Sequence, residues 1–180
     1  MAKKIAVFCA ASESIDKSYV NAAHDVGMMI GRLSASLVYG GARFGLMEAT
    51  AKAAKETGAQ VIGVVPHILV ERDRVSTLLD KKIPCSNLSE RKDIMLERSD
   101  LLVALPGGIG TLDEIFHVMA AATIGYHTKR VVLYNVNGFW NPLLATVEEM
   151  SQAGFVRGDL GKSMAVASTI GELEKLIMEA

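Results

Sequence analysis

The sequence has few of the features that mark secreted or membrane-bound proteins. It contains only two cysteines, Cys9 and Cys85, which are too few for a disulfide framework, and no segment resembles a secretory signal peptide. Charges and glycines interrupt every hydrophobic block, so no run approaches the roughly 18 apolar residues of a membrane-spanning helix. We therefore expect a cytoplasmic protein that does not insert into a membrane.

No charge sign predominates, and aromatic residues are scarce. The 19 basic and 20 acidic residues give a net charge of -1, which leaves no broad positive field for a nucleic acid backbone. Aromatic residues make up 6% of the chain and hydrophobic residues 50%, so aliphatic side chains must form the core. The length of 180 residues is typical of one domain. We expect a single domain over residues 1–180 whose partner is a small molecule and not a nucleic acid.

Short β-branched runs alternate with longer segments of helical periodicity. Strands are predicted at residues 5–9, 36–39, 60–65, 101–105, 131–134 and 163–167. Helices are predicted at residues 18–33, 46–56, 88–98, 111–122, 142–152 and 170–179. The segment 66–87 has no clean periodicity and is expected to cross the sheet edge as an irregular excursion. This alternation predicts an α/β fold with a doubly wound parallel sheet, a three-layer sandwich.

The strongest local feature is a glycine-rich turn between a strand and a helix, Gly107-Gly108-Ile109-Gly110-Thr111. In a doubly wound fold this turn lies at the carboxyl edge of the sheet, where ligands bind. Glycines let backbone N–H groups approach an anion closely, and the unpaired donors and dipole of a helix N-terminus attract it. Three glycines could instead serve only to make a tight turn. We favour a phosphate-binding site.

A second glycine loop, residues 40–45 (GGARFG), also follows a strand and opens a helix. Two such loops at one edge suggest a nucleotide ligand. Neither has the G-x-G-x-x-G spacing of dinucleotide-binding proteins or the Lys-Ser/Thr pair of a P-loop, which argues against NAD binding and ATP hydrolysis. For this loop, close packing and ligand contact remain equally good explanations.

Glu114 has two interpretations. Thr111 and Glu114 fit a capping box, in which each side chain satisfies a backbone donor at the start of a helix. Alternatively, the Glu114 carboxylate stands near the bound phosphate and acts on the attached sugar. The helix is expected to leave Glu114 and His117 off its sheet-facing apolar stripe, which comprises Leu112, Ile115, Phe116 and Met119.

Arg91 and Lys92 occur in the first turn of a predicted helix, where the helix dipole disfavours a cation. A negatively charged ligand, or Glu114, would explain their position, and a solvated surface pair is the alternative. The four histidines lack metal-ligand spacing, so no metal is expected, although His67 and His117 remain functional candidates. Cys9 has no visible base partner and is interpreted as a packing residue.

Taken together, three motifs resemble the LONELY GUY (LOG) family of cytokinin riboside 5′-monophosphate phosphoribohydrolases. They are residues 40–47 (GGARFGLM), residues 90–92 (ERK) and residues 106–114 (PGGIGTLDE). The resemblance extends over nearly the whole chain. It implies a Rossmann-like homodimer that hydrolyses the N-glycosidic bond of AMP-like nucleotides, without a cofactor, to an adenine-type base and ribose 5-phosphate.

The resemblance also implies roles for individual residues. Arg91 and Glu114 match the family's catalytic pair. The implied substrate-binding residues are Lys92, Gly107, Gly108, Ile109, Gly110, Thr111, Leu112, Asp113, Asp73 and Gly41.

The chain departs from the commoner family pattern at four positions, which bear on substrate preference more than on fold. Glycine is usual at Ala10, Ala42 and Glu48, and histidine is usual at Ser89. Members of this family are often labelled possible lysine decarboxylases, but the sequence shows no sign of a pyridoxal phosphate site. The alternative to an enzyme is a non-catalytic nucleotide-binding or sensing module.

Overall fold

The computed structural model describes residues 3–179, which form a parallel sheet between two layers of helices. The strands are β1 (Lys4–Phe8), β2 (Ser36–Tyr39), β3 (Val61–Pro66), β4 (Lys81–Cys85), β5 (Leu101–Ala104), β6 (Val131–Tyr134) and β7 (Met164–Ala167). The helices are α1 (Lys17–Arg32), α2 (Gly45–Glu56), α3 (His67–Glu71), α4 (Leu88–Arg98), α5 (Ile109–Thr123), α6 (Asn141–Gln152) and α7 (Ile170–Met178). The predicted doubly wound α/β fold is confirmed. Within residues 3–179, no helix is both long and apolar enough to cross a bilayer.

The strand order creates a crevice at the centre of the sheet. The strands follow the order β4-β3-β2-β1-β5-β6-β7, and every neighbouring pair is parallel. The chain therefore winds outward in one direction from β1 and in the other from β5. The loops after these two strands separate at their carboxyl ends, which is where doubly wound proteins bind ligands.

Strand β1 shows how the sheet is buried on both faces. Ile5 and Val7 point into the core shared with α1, α2 and α7, whereas Ala6 and Phe8 point into the core shared with α4, α5 and α6. All four side chains are essentially inaccessible to solvent. Strands covered on both faces must be apolar at every position, which explains why short continuous hydrophobic runs identified them in the sequence.

The segment 66–87 differs from its prediction. It was expected to be an irregular excursion, but it contains the short helix α3 and the strand β4, which pairs with β3 and lies at the edge of the sheet formed by residues 3–179. Lys81, Lys82 and Pro84 are exposed on this strand. Edge strands tolerate lysine and proline, because one of their sides carries no ladder hydrogen bonds. The prediction was wrong because such a strand has no hydrophobic run to reveal it.

Candidate active site

The crevice between β1 and β5 holds a pocket of about 350 Å³. Its walls come from four places at the carboxyl edge: the loop after β1, the start of α2, the start of α4 and the first two turns of α5. The lining residues are Cys9, Ala10, Ala11, Ser12, Met47, Leu88, Arg91, Lys92, Gly108, Gly110, Thr111, Asp113 and Glu114. The pocket therefore gathers both predicted catalytic residues and much of the predicted phosphate loop.

The N-terminus of α5 forms one wall of this pocket. Gly108 is the N-cap residue and supplies no side-chain cap, and the first backbone bond runs from the Leu112 N–H to the Gly108 carbonyl at 3.0 Å. Within residues 3–179, the N–H groups of Ile109, Gly110 and Thr111 find no acceptor. Three unpaired donors and the positive end of the helix dipole make this wall suited to an anion.

The capping-box interpretation of Glu114 is wrong. Because α5 begins at Ile109, Thr111 is its third residue and Glu114 its sixth. A capping box needs these side chains at the N-cap and the third position, and Glu114 is too far along the helix to reach the N-cap N–H. Glu114 therefore has no role in starting the helix.

The predicted apolar stripe of α5 is also wrong in part. Glu114 was expected off the buried face, yet it is only 6% exposed, whereas Phe116 is 39% exposed. Val118, which the stripe did not include, is buried beside Ile115. Apolar residues occur around most of this helix, so their spacing left its rotation undetermined. A carboxylate is tolerated on the inner side because that side also borders the pocket.

Burial governs the ionisation of Glu114. It raises the pKa of this carboxyl group from 4.5 to about 7, with Arg91 and Lys92 opposing the shift and Asp113 adding to it. Within the described chain, the Glu114 side chain makes no hydrogen bond. The group is therefore poised near neutral pH and is free to contact a ligand.

Arg91 lies at the pocket with its guanidinium in contact with a glycine. Its guanidinium lies against Gly40, where a methyl group would overlap Nη2, and the Met47 side chain lies close by. The buried Nε has no protein partner, and Arg91 does not pair with Glu114 in residues 3–179. Sequence reasoning missed Gly40, although its place in the second glycine loop was a signal.

A salt bridge joins the two helices that border the pocket. Lys92 Nζ lies 2.6 Å from Asp113 Oδ1, and the lysine side chain is only 14% exposed. This pair connects the start of α4 to the second turn of α5. It holds together the elements that carry Arg91 and Glu114.

Three predicted substrate-binding residues at the start of α5 are not among the residues that line the pocket, although the backbone N–H of Ile109 is one of the unpaired donors at this helix start. Gly107 lies beneath the Thr111 side chain, which occupies the space a methyl group would need. Ile109 is 82% exposed, and Leu112 packs against the core. Their backbone positions shape the turn, and their substrate-binding roles stay predictions.

Gly41 and Asp73 lie outside the pocket lining as well. Gly41 has a φ of 73°, packs against Val65 and accepts a hydrogen bond from the Ser76 N–H at 2.8 Å. Asp73 pairs with Arg43 at 3.1 Å, and its side chain is 90% exposed. The structure thus favours packing for Gly41 and does not bring Asp73 to the pocket, so both binding roles stay predictions.

Other candidates take no part in the pocket's chemistry. His117 Nε2 lies 3.1 Å from Asp93 Oδ1 and does not line the pocket, and His67 is exposed outside it. Cys9 lines the pocket but is buried as predicted, and burial, aided by Glu114, raises the pKa of its thiol far above the usual range. Among residues 3–179, no group of three or more His, Cys, Asp or Glu side chains is arranged to hold a metal ion.

Sequence comparison finds relatives that match this chain over nearly its whole length. Residues 47–177 match the family model described as possible lysine decarboxylase. The chain is 38% identical to a probable cytokinin riboside 5′-monophosphate phosphoribohydrolase of Oryza sativa subsp. japonica, covering 97% of this chain and 72% of the relative. It is 35% identical to a cytokinin riboside 5′-monophosphate phosphoribohydrolase of Arabidopsis thaliana, covering 98% of this chain and 82% of the relative.

Solved structures share the fold. The molybdenum cofactor carrier protein of Chlamydomonas reinhardtii superposes with a TM-score of 0.75 at 25% identity, covering 99% of this chain and 98% of that one. A molybdenum cofactor binding protein from Rippkaea orientalis superposes with a TM-score of 0.71 at 22% identity, covering 99% and 97%. Proteins with this architecture thus have different named functions, and the function of this chain must be argued from its site.

Proposed function

Because this chain belongs to the LONELY GUY (LOG) family of cytokinin riboside 5′-monophosphate phosphoribohydrolases, we propose that it hydrolyses the N-glycosidic bond of adenine-type nucleoside 5′-monophosphates. The substrates are cytokinin riboside monophosphates or AMP, and the products are the free base and ribose 5-phosphate. The enzyme class follows from the relatives, and the substrate range and residue roles are our inference from the pocket.

One observation carries the proposal: Glu114 is buried without a hydrogen-bond partner in the described chain, beside an anion-attracting helix start. Glu114 does not cap the helix. Because its pKa is raised, the ionised carboxylate makes the folded state less stable near neutral pH. Perturbed groups of this kind concentrate where chemistry occurs. Here the carboxylate faces the space that a sugar would occupy if its phosphate bound the start of α5.

Substrate binding begins at the phosphate. The N–H groups of Ile109, Gly110 and Thr111 bind the 5′-phosphate, assisted by the dipole of α5. Glu114 lies one turn further along the same helix, so fixing the phosphate places the ribose beside its carboxylate. Met47 and Leu88 give the pocket an apolar wall for the base.

The bond to the base then breaks, and the bonding electrons leave with the base nitrogen, which takes up a proton from solvent. Positive charge develops on the sugar ring, and the Glu114 carboxylate stabilises it. A water molecule forms the new bond to the anomeric carbon and gives one proton to Glu114, which then releases it to solvent and is again a carboxylate. Arg91 positions the substrate or the Glu114 carboxylate. It also lowers the pKa of Glu114, so that a larger fraction of this side chain is ionised at neutral pH.

The phosphate assignment predicts the effect of a side chain at Gly108. The space around its backbone is open, so Gly108→Val is expected to fold normally while its side chain obstructs the anion. The affinity for AMP should fall at least about tenfold, because one good charge-assisted hydrogen bond is worth on the order of 1.5–3 kcal/mol. Titration calorimetry measures the affinity, and the melting temperature of the ligand-free protein controls for folding. Unchanged AMP affinity would show that the phosphate does not bind at the start of α5.

The raised pKa of Glu114 predicts the pH dependence of the reaction. The carboxylate form is the active one, so kcat/KM, which reports the ligand-free protein, should rise with pH, pass half its maximum near 7 and level off above that. The profile is measured with AMP well below KM, and the residual activity of Glu114→Gln serves as the control, since it should lack this inflection. A rate that falls as pH rises through 7 would instead make Glu114 a general acid.

A product assay separates this enzyme from a nucleotide-binding module. Purified protein is incubated with AMP and with isopentenyladenosine monophosphate, and the released base is measured by chromatography. The proposal expects free base from at least one of them, with ribose 5-phosphate in equal amount. Saturable binding with a raised melting temperature and no release of base would favour the module.

We also propose that the protein is a homodimer in the cytoplasm. A groove of about 970 Å³ runs between α4 and α5, and near it Ile124 and Tyr126 are 65% and 82% exposed. Apolar surface of this kind favours a second copy of the chain. Light scattering should give twice the 19.3 kDa of one chain, and Tyr126→Glu should shift the mass to that of the monomer.

The two cysteines support the cytoplasmic location in this proposal. Cys9 and Cys85 are both unpaired, which suits a reducing compartment.

A further inference from the structure

A second cavity lies at the opposite edge of the sheet from the candidate active site. It has a volume of about 560 Å³ and is bordered by the end of α5, the residues before β6 and the loop between α6 and β7. We call it the amino-edge cavity, since β6 and β7 begin beside it. Helix α5 has 15 residues and separates it from the phosphate loop by roughly 20 Å.

Positive charge is concentrated in this cavity. Arg130, Arg157 and Lys162 line it, and the carboxylate of Asp159 is the acid among the lining residues. Within residues 3–179, these three cations form no ion pair with the protein, and Asp159 instead accepts a hydrogen bond from the Gly161 N–H at 2.8 Å. The cavity therefore carries a net charge of two positive units, three basic groups less one acidic group, in a chain whose net charge is -1.

The backbone of the cavity wall adds further donors. The N–H groups of Arg157, Gly158 and Asp159 donate no hydrogen bond in the described part of the chain. Arg157, Gly158 and Asp159 line the same cavity as Arg130. Guanidinium forks and backbone N–H groups are the donors that bind phosphate oxygens in proteins.

The requirements of the nearby helix end do not explain the cluster. The carbonyl end of α5 attracts cations, but a helix end carries only about half a unit of negative charge. In the part of the chain that the structure describes, none of Arg130, Arg157 and Lys162 hydrogen-bonds to the last carbonyls of α5, although such bonds would be expected of capping cations. The positive charge of three basic groups is therefore larger than the negative charge at the end of α5.

We propose that the amino-edge cavity is a second anion site, which binds a small phosphorylated molecule carrying more than one negative charge. Arg130 and Arg157 hydrogen-bond to the phosphate oxygens, and Lys162 adds electrostatic attraction from the rim of the cavity. The site is separate from catalysis, because none of its residues borders the catalytic pocket. It does not depend on the proposed function, since it would bind its ligand whether or not the catalytic pocket hydrolyses nucleotides.

Inorganic pyrophosphate is the probe for the test, and the backbone amide resonances of the whole protein report where it binds. Gly125 and Gly158 report on the amino-edge cavity, and Gly108 and Gly110 report on the catalytic pocket. Saturable shifts of Gly125 and Gly158 that weaken with added salt are expected. Arg130→Gln combined with Arg157→Gln should weaken this binding at least about tenfold, as expected when two charge-assisted contacts are lost.

The matched control is Lys52→Gln combined with Arg98→Gln, which removes the same charge from exposed positions elsewhere. It should leave the affinity at Gly125 and Gly158 within about twofold, because distant surface charges are screened by salt. Shifts at these glycines that stay linear up to high pyrophosphate concentration would overturn the proposal. So would saturation confined to Gly108 and Gly110, or equal weakening by the test and control variants.

Discussion

Glu114→Gln is expected to lower kcat for nucleotide hydrolysis by about 10³-fold while leaving nucleotide affinity within about threefold. Glutamine keeps the size of the side chain but carries no negative charge and cannot accept the proton of the attacking water. The phosphate contacts at the start of α5 are untouched, so binding survives. Single-turnover release of base from AMP measures the chemical step, and calorimetry measures the affinity.

The matched control is Glu149→Gln on the exposed face of α6, which removes a carboxylate without touching the pocket. Its kcat should equal that of the unaltered protein. If Glu114→Gln released base at the normal rate, the carboxylate would have no part in the chemistry. If it lost nucleotide binding as completely as turnover, Glu114 would be a binding residue.

The same substitution should stabilise the protein above neutral pH. Folding raises the pKa of Glu114 from 4.5 to about 7, so its contribution to stability is fully present below 4.5 and is lost as pH rises toward 7. Above pH 7 the ionised, buried group lowers the free energy of unfolding by roughly 3 kcal/mol. Glu114→Gln should therefore unfold at higher denaturant concentration than the unaltered protein at pH 8, and the difference should shrink toward pH 4.

Gly40→Ala is expected to lower kcat/KM by about 10²-fold with little change in stability. The added methyl group would overlap Nη2 of Arg91, and the end of an arginine side chain can move away without disturbing the backbone. The guanidinium would then leave the place from which it acts on Glu114 or the substrate, and misplacement by about 1 Å can cost a factor of this size. Steady-state kinetics and thermal unfolding together measure the two effects.

Two further variants decide whether Gly40 acts through Arg91. Gly171→Ala adds a methyl group in open space within α7 and should leave kcat/KM unchanged. Once Arg91→Met has removed the guanidinium, adding Gly40→Ala should cost no further activity, because the two changes share one cause. Additive losses in the double variant would show that Gly40 matters for another reason.

The sequence revealed the fold because most of the strands are buried on both faces. A strand such as β1 must be apolar throughout, and the helices between strands show their own periodicity, so the order of elements could be predicted from composition along the chain. Strand β4 was missed for the converse reason. As an edge strand it carries exposed lysines and a proline, and only its pairing with β3 identifies it.

The candidate site was predictable in its parts but not in its arrangement. Glycine-rich turns at strand ends pointed to the carboxyl edge, and an arginine early in a helix pointed to Arg91. The start of α5 was misplaced by two residues, which made a capping box plausible. Apolar residues around most of the helix left its rotation undetermined, so Glu114 was placed off the buried side. Helix boundaries depend on which backbone donors find partners, and the sequence near Gly108 contains no side-chain cap to mark the start.

By itself, the sequence determined the order of most strands and helices, the sheet edge at which the candidate site lies and the residue types available there, because these depend on local patterns and on rules of chain connection. Only the tertiary structure decided the rotation of Glu114 into the pocket, its raised pKa and the place of the Arg91 guanidinium against Gly40. Burial and electrostatic interactions depend on which residues from distant segments come together, and neighbours along the chain do not specify that.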